Sequence, residues 1–282
     1  VTGIQMTPVE FDVCWEALGL GESPIAFELP SPGRTGAERA AVRSEAFGAL
    51  RRRGLADAGR SPYPSSSTPA PAVAGVLRLL ATADHTVDVR HLDAGRTVVG
   101  LGAVRGPDGV VVLHRGPRLE LARMDGARVV PALVGIVAPE PAGVGRPVTL
   151  PVAVLDAALA GRPRTGSAFA DELVRQGVAS VDAAAAAHMS RGVLARGQFG
   201  VTGRRPGLTG PPGSVPPGAT GRRGPWVIGY HRAANGWFVQ LRRAGAVTLA
   251  PLDTARLRAR VAELIGVVRA DQSERSARIS SA

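Results

Sequence analysis

His85–Val130 reads HTVDVRHLDAGRTVVGLGAVRGPDGVVVLHRGPRLELARMDGARVV, and the spacing of its turn residues decides the fold class. Four runs, about His85–Leu92, Arg96–Val104, Val110–His114 and Arg118–Arg123, are separated by Asp93-Ala94-Gly95, Gly106-Pro107-Asp108-Gly109 and Gly116-Pro117. Connections this short leave no room for a crossover, so consecutive runs pair antiparallel in a meander. A fifth strand is expected at Arg128–Val130, after the turn Asp125-Gly126. Val98-Val99 and Val110–Leu113 are apolar at consecutive positions, so both faces of this sheet need cover or a partner.

Upstream of the meander the signals are helical. Thr7-Pro8-Val9-Glu10 has the form of a capping box with Pro at the first helical position, and Phe11, Cys14, Trp15 and Leu18 repeat on one face. Pro24–Pro30 reads as extended. Thr35 and Glu38 form a second capping box, opening a helix that runs to Arg53 and stops at Gly54. Residues 56–72 are rich in Pro, Ser and Ala and read as a mobile loop, followed by a short helix at 73–81.

Downstream, helices are expected at Val152–Ala160, Ala168–Gln176 and Val181–Arg191, then a strand near Leu194–Thr202. The Gly/Pro-rich segment 203–224 reads as a second mobile loop. Trp226–His231 and Trp237–Leu241 form a hairpin around Asn235-Gly236; a two-residue turn there sets Tyr230 opposite Leu241. Trp226, Ile228, Tyr230, Trp237, Val239 and Leu241 then share one face. Ala246–Pro251 is a third strand, a last helix starts at Asp253 or Thr254, and 269–282 reads as a frayed polar tail. Helices and antiparallel strands segregated in this way define an α+β chain.

The 282 residues include 45% hydrophobic side chains but only 4% aromatics, so the core is built from Val, Leu and Ala. All 34 basic residues are Arg, which excludes a phosphate-loop lysine and a Schiff-base lysine. Cys14 is the single cysteine and lies on the buried stripe of the first helix, so neither a disulfide nor a thiol nucleophile is expected. Glu10, Asp12 and Glu16 interrupt any apolar leader, and no run approaches the roughly 20 apolar residues of a membrane span, so the expectation is a cytoplasmic protein without membrane insertion.

No catalytic constellation emerges. The histidines are His85, His91, His114, His188 and His231; none has metal-ligand spacing, and His85 and His91 lie about 20 Å apart along an extended strand. No serine sits in a G-x-S-x-G frame. Gly100-Leu101-Gly102 begins like a dinucleotide fingerprint, but Arg105 replaces the third glycine and the stretch lies in a meander, so it reads as a tightly packed strand. A binding protein without metal or cofactor is therefore expected. The net charge of +11 keeps a basic nucleic-acid-binding protein as the alternative. Against it, 203–224 carries Arg204, Arg205, Arg222 and Arg223 with no acid, and residues 85–130 hold no aromatic platform for bases.

Both ends of the chain carry a resemblance. Pro8-Val9-Glu10-Phe11, Trp15-Glu16-Ala17-Leu18-Gly19-Leu20-Gly21-Glu22, Pro24, Pro30-Ser31-Pro32-Gly33-Arg34-Thr35, Glu38-Arg39 and Arg53-Gly54-Leu55 follow one another in order. Gly197-Gln198-Phe199-Gly200, the hairpin at Gly236 and Val247–Pro251 close the pattern. Together they resemble the EspG family of type VII secretion chaperones, with Trp237 and the Arg-rich insert 203–224 as departures. The resemblance implies a central antiparallel sheet flanked by helical bundles. It also implies one domain, 1–268, whose halves (about 1–150 and 151–268) are related by an approximate two-fold.

The function implied is that of a cytosolic chaperone without enzymatic activity. It would bind a secreted PE–PPE-like heterodimer by the apolar tip of its PPE subunit and pass it to the secretion machinery. Client contacts are expected on the sheet and the C-terminal helices, at Val98, Leu101 and Val104, the turn residues Gly106, Asp108 and Gly109, and Val174, Val178 and His188. On this reading Leu101→Asp or Val104→Asp abolishes client binding and leaves the fold intact.

Overall fold

The structure is a computed structural model that describes residues 3–57, 67–161, 165–204 and 221–280. The N-terminal elements are β1 (Ile4–Met6), α1 (Pro8–Ala17), a 3-10 turn at Ile25–Phe27, α2 (Gly36–Arg52), β2 (Ala56–Asp57), β3 (Thr68–Pro69) and α3 (Pro71–Ala81). The meander follows as β4 (His85–Asp93), β5 (Arg96–Arg105), β6 (Asp108–Arg115) and β7 (Arg118–Asp125), then α4 (Gly126–Val137). Next come β8 (Val148–Pro151), α5 (Val152–Ala160), α6 (Gly166–Arg175) and α7 (Ser180–Met189). The chain continues with β9 (Ala195–Gly203), β10 (Arg222–Arg223), β11 (Ile228–Ala233), β12 (Gly236–Arg243), β13 (Ala246–Pro251) and α8 (Thr254–Ser280).

The N-terminal sequence pattern is explained by local chemistry. Thr7 Oγ1 accepts from the Glu10 amide at 3.2 Å and Glu10 Oε2 accepts from the Thr7 amide at 2.8 Å; Thr35 and Glu38 repeat the arrangement on α2. Arg53 reaches from the end of α2 to Glu10, and Arg39 pairs with Asp12 at 2.7 Å and with Glu16. The acidic and arginine residues of this pattern thus clamp α1 to α2. The Pro24–Pro30 segment is not extended throughout. It makes one 3-10 turn at Ile25–Phe27 that delivers Phe27 to the core, edge-on to Phe11.

Each link in the meander is a two-residue turn. Ala94-Gly95 has both residues at positive φ, and Gly106-Pro107 and Gly116-Pro117 each place the glycine first, at φ 54° and 57°. The expected strand at Arg128–Val130 is instead the start of α4. Asp125 Oδ1 accepts from the Ala127 amide at 2.7 Å as an N-cap, and Val129, Leu133, Val134 and Val137 are buried along one side. That helix lies against backbone. A Cβ on Gly109 would stand 2.5 Å from Val129 Cγ2, and one on Gly102 would meet Val129 Cγ1 and come within 2.9 Å of Leu133. Val129 is β-branched and enclosed, so it yields little. Gly102→Val is expected to cost at least about 1–3 kcal/mol through overpacking, read as a lowered denaturant midpoint at unchanged m.

Among the described residues eleven strands form one antiparallel sheet in the order β1-β7-β6-β5-β4-β9-β11-β12-β13-β8, with β10 also on β9, while β2 and β3 pair separately. Its two parts meet where β9 pairs along the whole of β4, from His85↔Gly203 to Asp93↔Ala195. The β11–β12 hairpin turns at Ala234-Asn235, so Tyr230 faces Val239 and Gly236 opens β12. The expected pairing was two residues away, and a two-residue offset keeps every side chain on its face. Gly236 occupies φ 118°, with no room for a Cβ beside Gly143, which fixes it at that corner.

On one face of the sheet lie α4 and α8, burying Val87, Val89, Phe199, Ile228, Leu257 and Val261 among others. On the other face α1, α2 and α3 cover β5–β7 through Leu101, Val112, Leu119 and Leu121. Helices α5–α7 cover the far end of that same face through Leu150, Phe238, Val247 and Leu249. Residues 269–280, expected as frayed tail, continue α8. Gln272 Nε2 donates to the Asp84 and Arg204 carbonyls at 3.2 and 2.7 Å, and Asp271 pairs with Arg222 at 3.1 Å. The ends of the two segments expected as loops are paired as strands. Ala56–Asp57 pairs with Thr68–Pro69, and Arg222–Arg223 with Thr202–Gly203; the middles of both segments lie outside the described residues.

Three histidines are buried in this core. His231 Nε2 donates to the Met189 carbonyl at 2.8 Å, His91 Nδ1 lies 3.1 Å from the Tyr230 hydroxyl, and His85 Nδ1 has no partner among the described residues. Burial holds all three below the ordinary imidazole range, and Arg269 adds to the effect at His85. The unfolded chain therefore takes up protons first, at about pH 6.5. The stability they contribute is complete above that pH and is lost as pH falls below it. The melting temperature is expected to fall between pH 7.5 and 5.5; a flat profile would show that these imidazoles are solvated.

Candidate functional site

Among the described residues, part of one face of the central strands is left uncovered. In β4 the side chains of Val87 and Val89 go to the α4/α8 side, so Asp88 and Arg90 go to the other; in β9 Phe199 and Val201 are inward, and Arg196 and Gln198 outward. Neither α1–α3 nor α5–α7 reaches this strip, and Arg90, Arg196, Gln198 and Arg242 are exposed although they belong to interior strands. The strip floors an open groove of about 1630 Å³.

One wall is helical. Leu155 and Leu159 of α5, Phe169 of α6 and Ala184, Ala187 and His188 of α7 face the groove, which ends at the loop 190–193. Thr165 caps α6 by accepting from the Ala168 amide at 3.1 Å, and the small Ala183, Ala186 and Ala187 let α7 pack closely. Leu173 is buried behind the wall and ties α6 to the core of α5–α7. Its rim is apolar and open to solvent: Leu159 and Val193 are each 47% exposed.

The charge in the groove has one sign. Among the described residues, Arg90, Arg191, Arg196 and Arg242 line it, and no carboxylate does. Arg90 pairs with Glu28 at 2.9 Å and Arg242 with Asp156 at 3.1 Å, both at exposed positions, whereas Arg191 and Arg196 have no ion pair among the described residues. The adjoining acid on the strip, Asp88, is held by Arg223 of β10, whose guanidinium lies over Gly200 where any side chain would displace it. Among the described residues, no group of three or more His, Cys, Asp or Glu is placed to hold a metal ion, and no helix is long and apolar enough to cross a membrane.

The sequence profile of the EspG family matches residues 7–263. This chain belongs to the EspG family. Among solved structures, the fold is similar to the type VII secretion system chaperone EspG5 of Mycobacterium tuberculosis, determined in complex with a PE25–PPE41 dimer. The match has a TM-score of 0.68 at 12% identity and covers 95% of this chain and 97% of that one. No curated protein matches significantly.

In this EspG-family fold the residues expected to bind a partner are dispersed. Leu101 is 4% exposed beneath the α1–α3 side, and Val104 is 8% exposed on the α4/α8 side, so the two belong to opposite core layers. Val98, half-buried, shares the face of Val104. Gly109 is buried under α4. Gly106 and Asp108 line a small separate cleft of about 620 Å³ with Arg78, Arg105 and Arg123, at the end of β5 away from the groove. Val174 is exposed on α6, and Val178 packs with the α5–α7 core. Of the nine, His188 lines the groove.

Sequence reasoning missed Leu159, Val193, Arg196 and Arg242. A signal existed in β4 and β9, where Asp88-Val89-Arg90 and Arg196-Gly197-Gln198 mark a polar face. It has meaning only once these strands are known to lie side by side in the sheet interior.

Proposed function

We infer that this EspG-family protein is a cytosolic type VII secretion chaperone. It binds a secreted PE–PPE-like heterodimer through the apolar tip of the PPE subunit and holds it soluble for the secretion machinery, by reversible contact and without covalent chemistry. The observation that carries this reading is the open groove with exposed Leu159 and Val193 at its rim. Aliphatic groups held in solvent on a rigid wall are suited to a partner's apolar surface. The EspG5 structure, with its PE25–PPE41 dimer, supports the choice of partner class.

On this reading the chain acts as one domain, with α1–α3 and α5–α7 as flanking helical bundles on halves related by an approximate two-fold. The groove between the bundles is where the client sits, with His188 among its contacts. A stable complex needs about 1,200–2,000 Å² of buried surface, so the client spreads beyond the groove onto the adjoining helices.

The test is co-expression with candidate PE–PPE pairs, followed by size-exclusion chromatography at low and high salt. Co-elution that persists at high salt is the expected result. Failure of every pair, with salt-labile retention of nucleic acid instead, would favour the alternative, a basic nucleic-acid-binding protein.

A further inference from the structure

We propose that Arg191 and Arg196 make the groove selective for an acidic client tip, one that sets carboxylates beside its apolar residues. The proposal rests on the reading of the groove as the client site and adds the chemistry of the segment it accepts. Among the described residues four arginines and no carboxylate line the groove, so its lining charge is positive. The acids nearest the groove already hold arginines: Asp88 pairs with Arg223, Asp156 with Arg242 and Glu28 with Arg90. Arg191 and Arg196 are exposed and carry no ion pair among the described residues.

Arg196 projects from the start of β9, an interior strand of the sheet, and Arg191 stands on the loop beside Val193. A tip whose aliphatic residues meet Leu159 and Val193 is thereby brought to both guanidiniums. Guanidinium presents a planar fork of donors that matches a carboxylate in two parallel hydrogen bonds. The weak surface pairs of Arg90 and Arg242 can exchange partners and supply further donors.

The same positive field would attract nucleic acid, but bases need exposed rings to stack on. The aromatic residues at this groove are buried, Phe169 at 6% and Tyr230 at 2% exposure, and its exposed large apolar side chains, Leu159 and Val193, are aliphatic. That favours a protein segment.

The experiment uses a PE–PPE dimer whose PPE tip carries Asp or Glu next to its apolar residues, and the same dimer with those acids changed to Asn or Gln. Affinities of the full chain and of Arg191→Gln/Arg196→Gln are measured by calorimetry, with Arg118→Gln, in the distant β6–β7 turn, as control. The full chain is expected to bind the acidic tip at least tenfold more tightly than the neutralised one. The double variant should lose that preference, and the control should keep it. Equal binding of both tips by the full chain, or an unchanged preference in the double variant, overturns the proposal and leaves the client reading standing. Binding of neither dimer, nor of any other PE–PPE pair, overturns both. Salt-labile binding of a single-stranded oligonucleotide that disappears in the double variant also overturns it, by assigning the arginines to nucleic acid.

Discussion

Leu101→Asp is expected to prevent folding, where the sequence alone pointed to a loss of binding in an intact protein. Leu101 is 4% exposed and enclosed by the cluster that includes Phe11, Phe47 and Leu77. Truncating a buried leucine costs about 2–5 kcal/mol. Placing a carboxylate in the same space costs several kcal/mol more, or forces it to take up a proton at neutral pH. The sum is comparable with the entire stability of a typical domain, about 5–15 kcal/mol. Circular dichroism and soluble yield should therefore collapse together, while Leu101→Met, which conserves volume, should lose under about 1.5 kcal/mol. A Leu101→Asp protein with the wild-type spectrum and melting temperature would mean that α1–α3 do not seal this face of β5.

The opposite outcome is expected at the rim of the groove. In Leu159→Asp/Val193→Asp the fold should survive, because each side chain is 47% exposed and surface substitutions usually stay within about 0.5 kcal/mol. The acid in the last turn of α5 adds a small unfavourable interaction with the helix dipole, about 0.3–1 kcal/mol. Binding should suffer far more. If both residues anchor the client, each contributes on the order of 2 kcal/mol, and Kd rises at least about 100-fold. Co-elution with a PE–PPE dimer would then be lost at micromolar concentration while the circular dichroism spectrum is unchanged. A complex of undiminished affinity would move the client off this groove.

Together these variants separate two kinds of apolar residue that look alike in a sequence. Val and Leu at consecutive strand positions announced that both faces of the meander are covered or bound, and the structure covers both, with α3 on one side and α4 on the other. The residues left in solvent are at the end of α5 and in the loop before β9, where no periodicity marks them. A helix end and a loop become the rim of one groove only through the packing of α5–α7 on β8 and β13.

Local chemistry made much of the chain legible. The two capping boxes, the three glycine-marked turns of the meander and the Ala246–Pro251 strand are set by residues within a few positions of one another, so the sequence determined them. The tight strand at Gly100–Gly102 was readable too, although what approaches it, Val129 and Leu133, was not. Where propensity competed with distant contacts it lost. Arg128–Val130 has β-branched character and Pro131 follows it, yet the Asp125 cap and burial of Val129, Leu133 and Val137 make a helix. The polar end of α8 is helical because Gln272 and Asp271 find partners on Asp84, Arg204 and Arg222. Sheet order was out of reach for the same reason. Pairing of β9 with β4 joins residues more than a hundred positions apart, and only that pairing turns two polar strand faces into one arginine-lined floor. The sequence by itself therefore determined most of the longer elements, the class and the family pattern. The groove exists by long-range pairing and by the width of sheet the helices leave bare, which the tertiary structure alone decides.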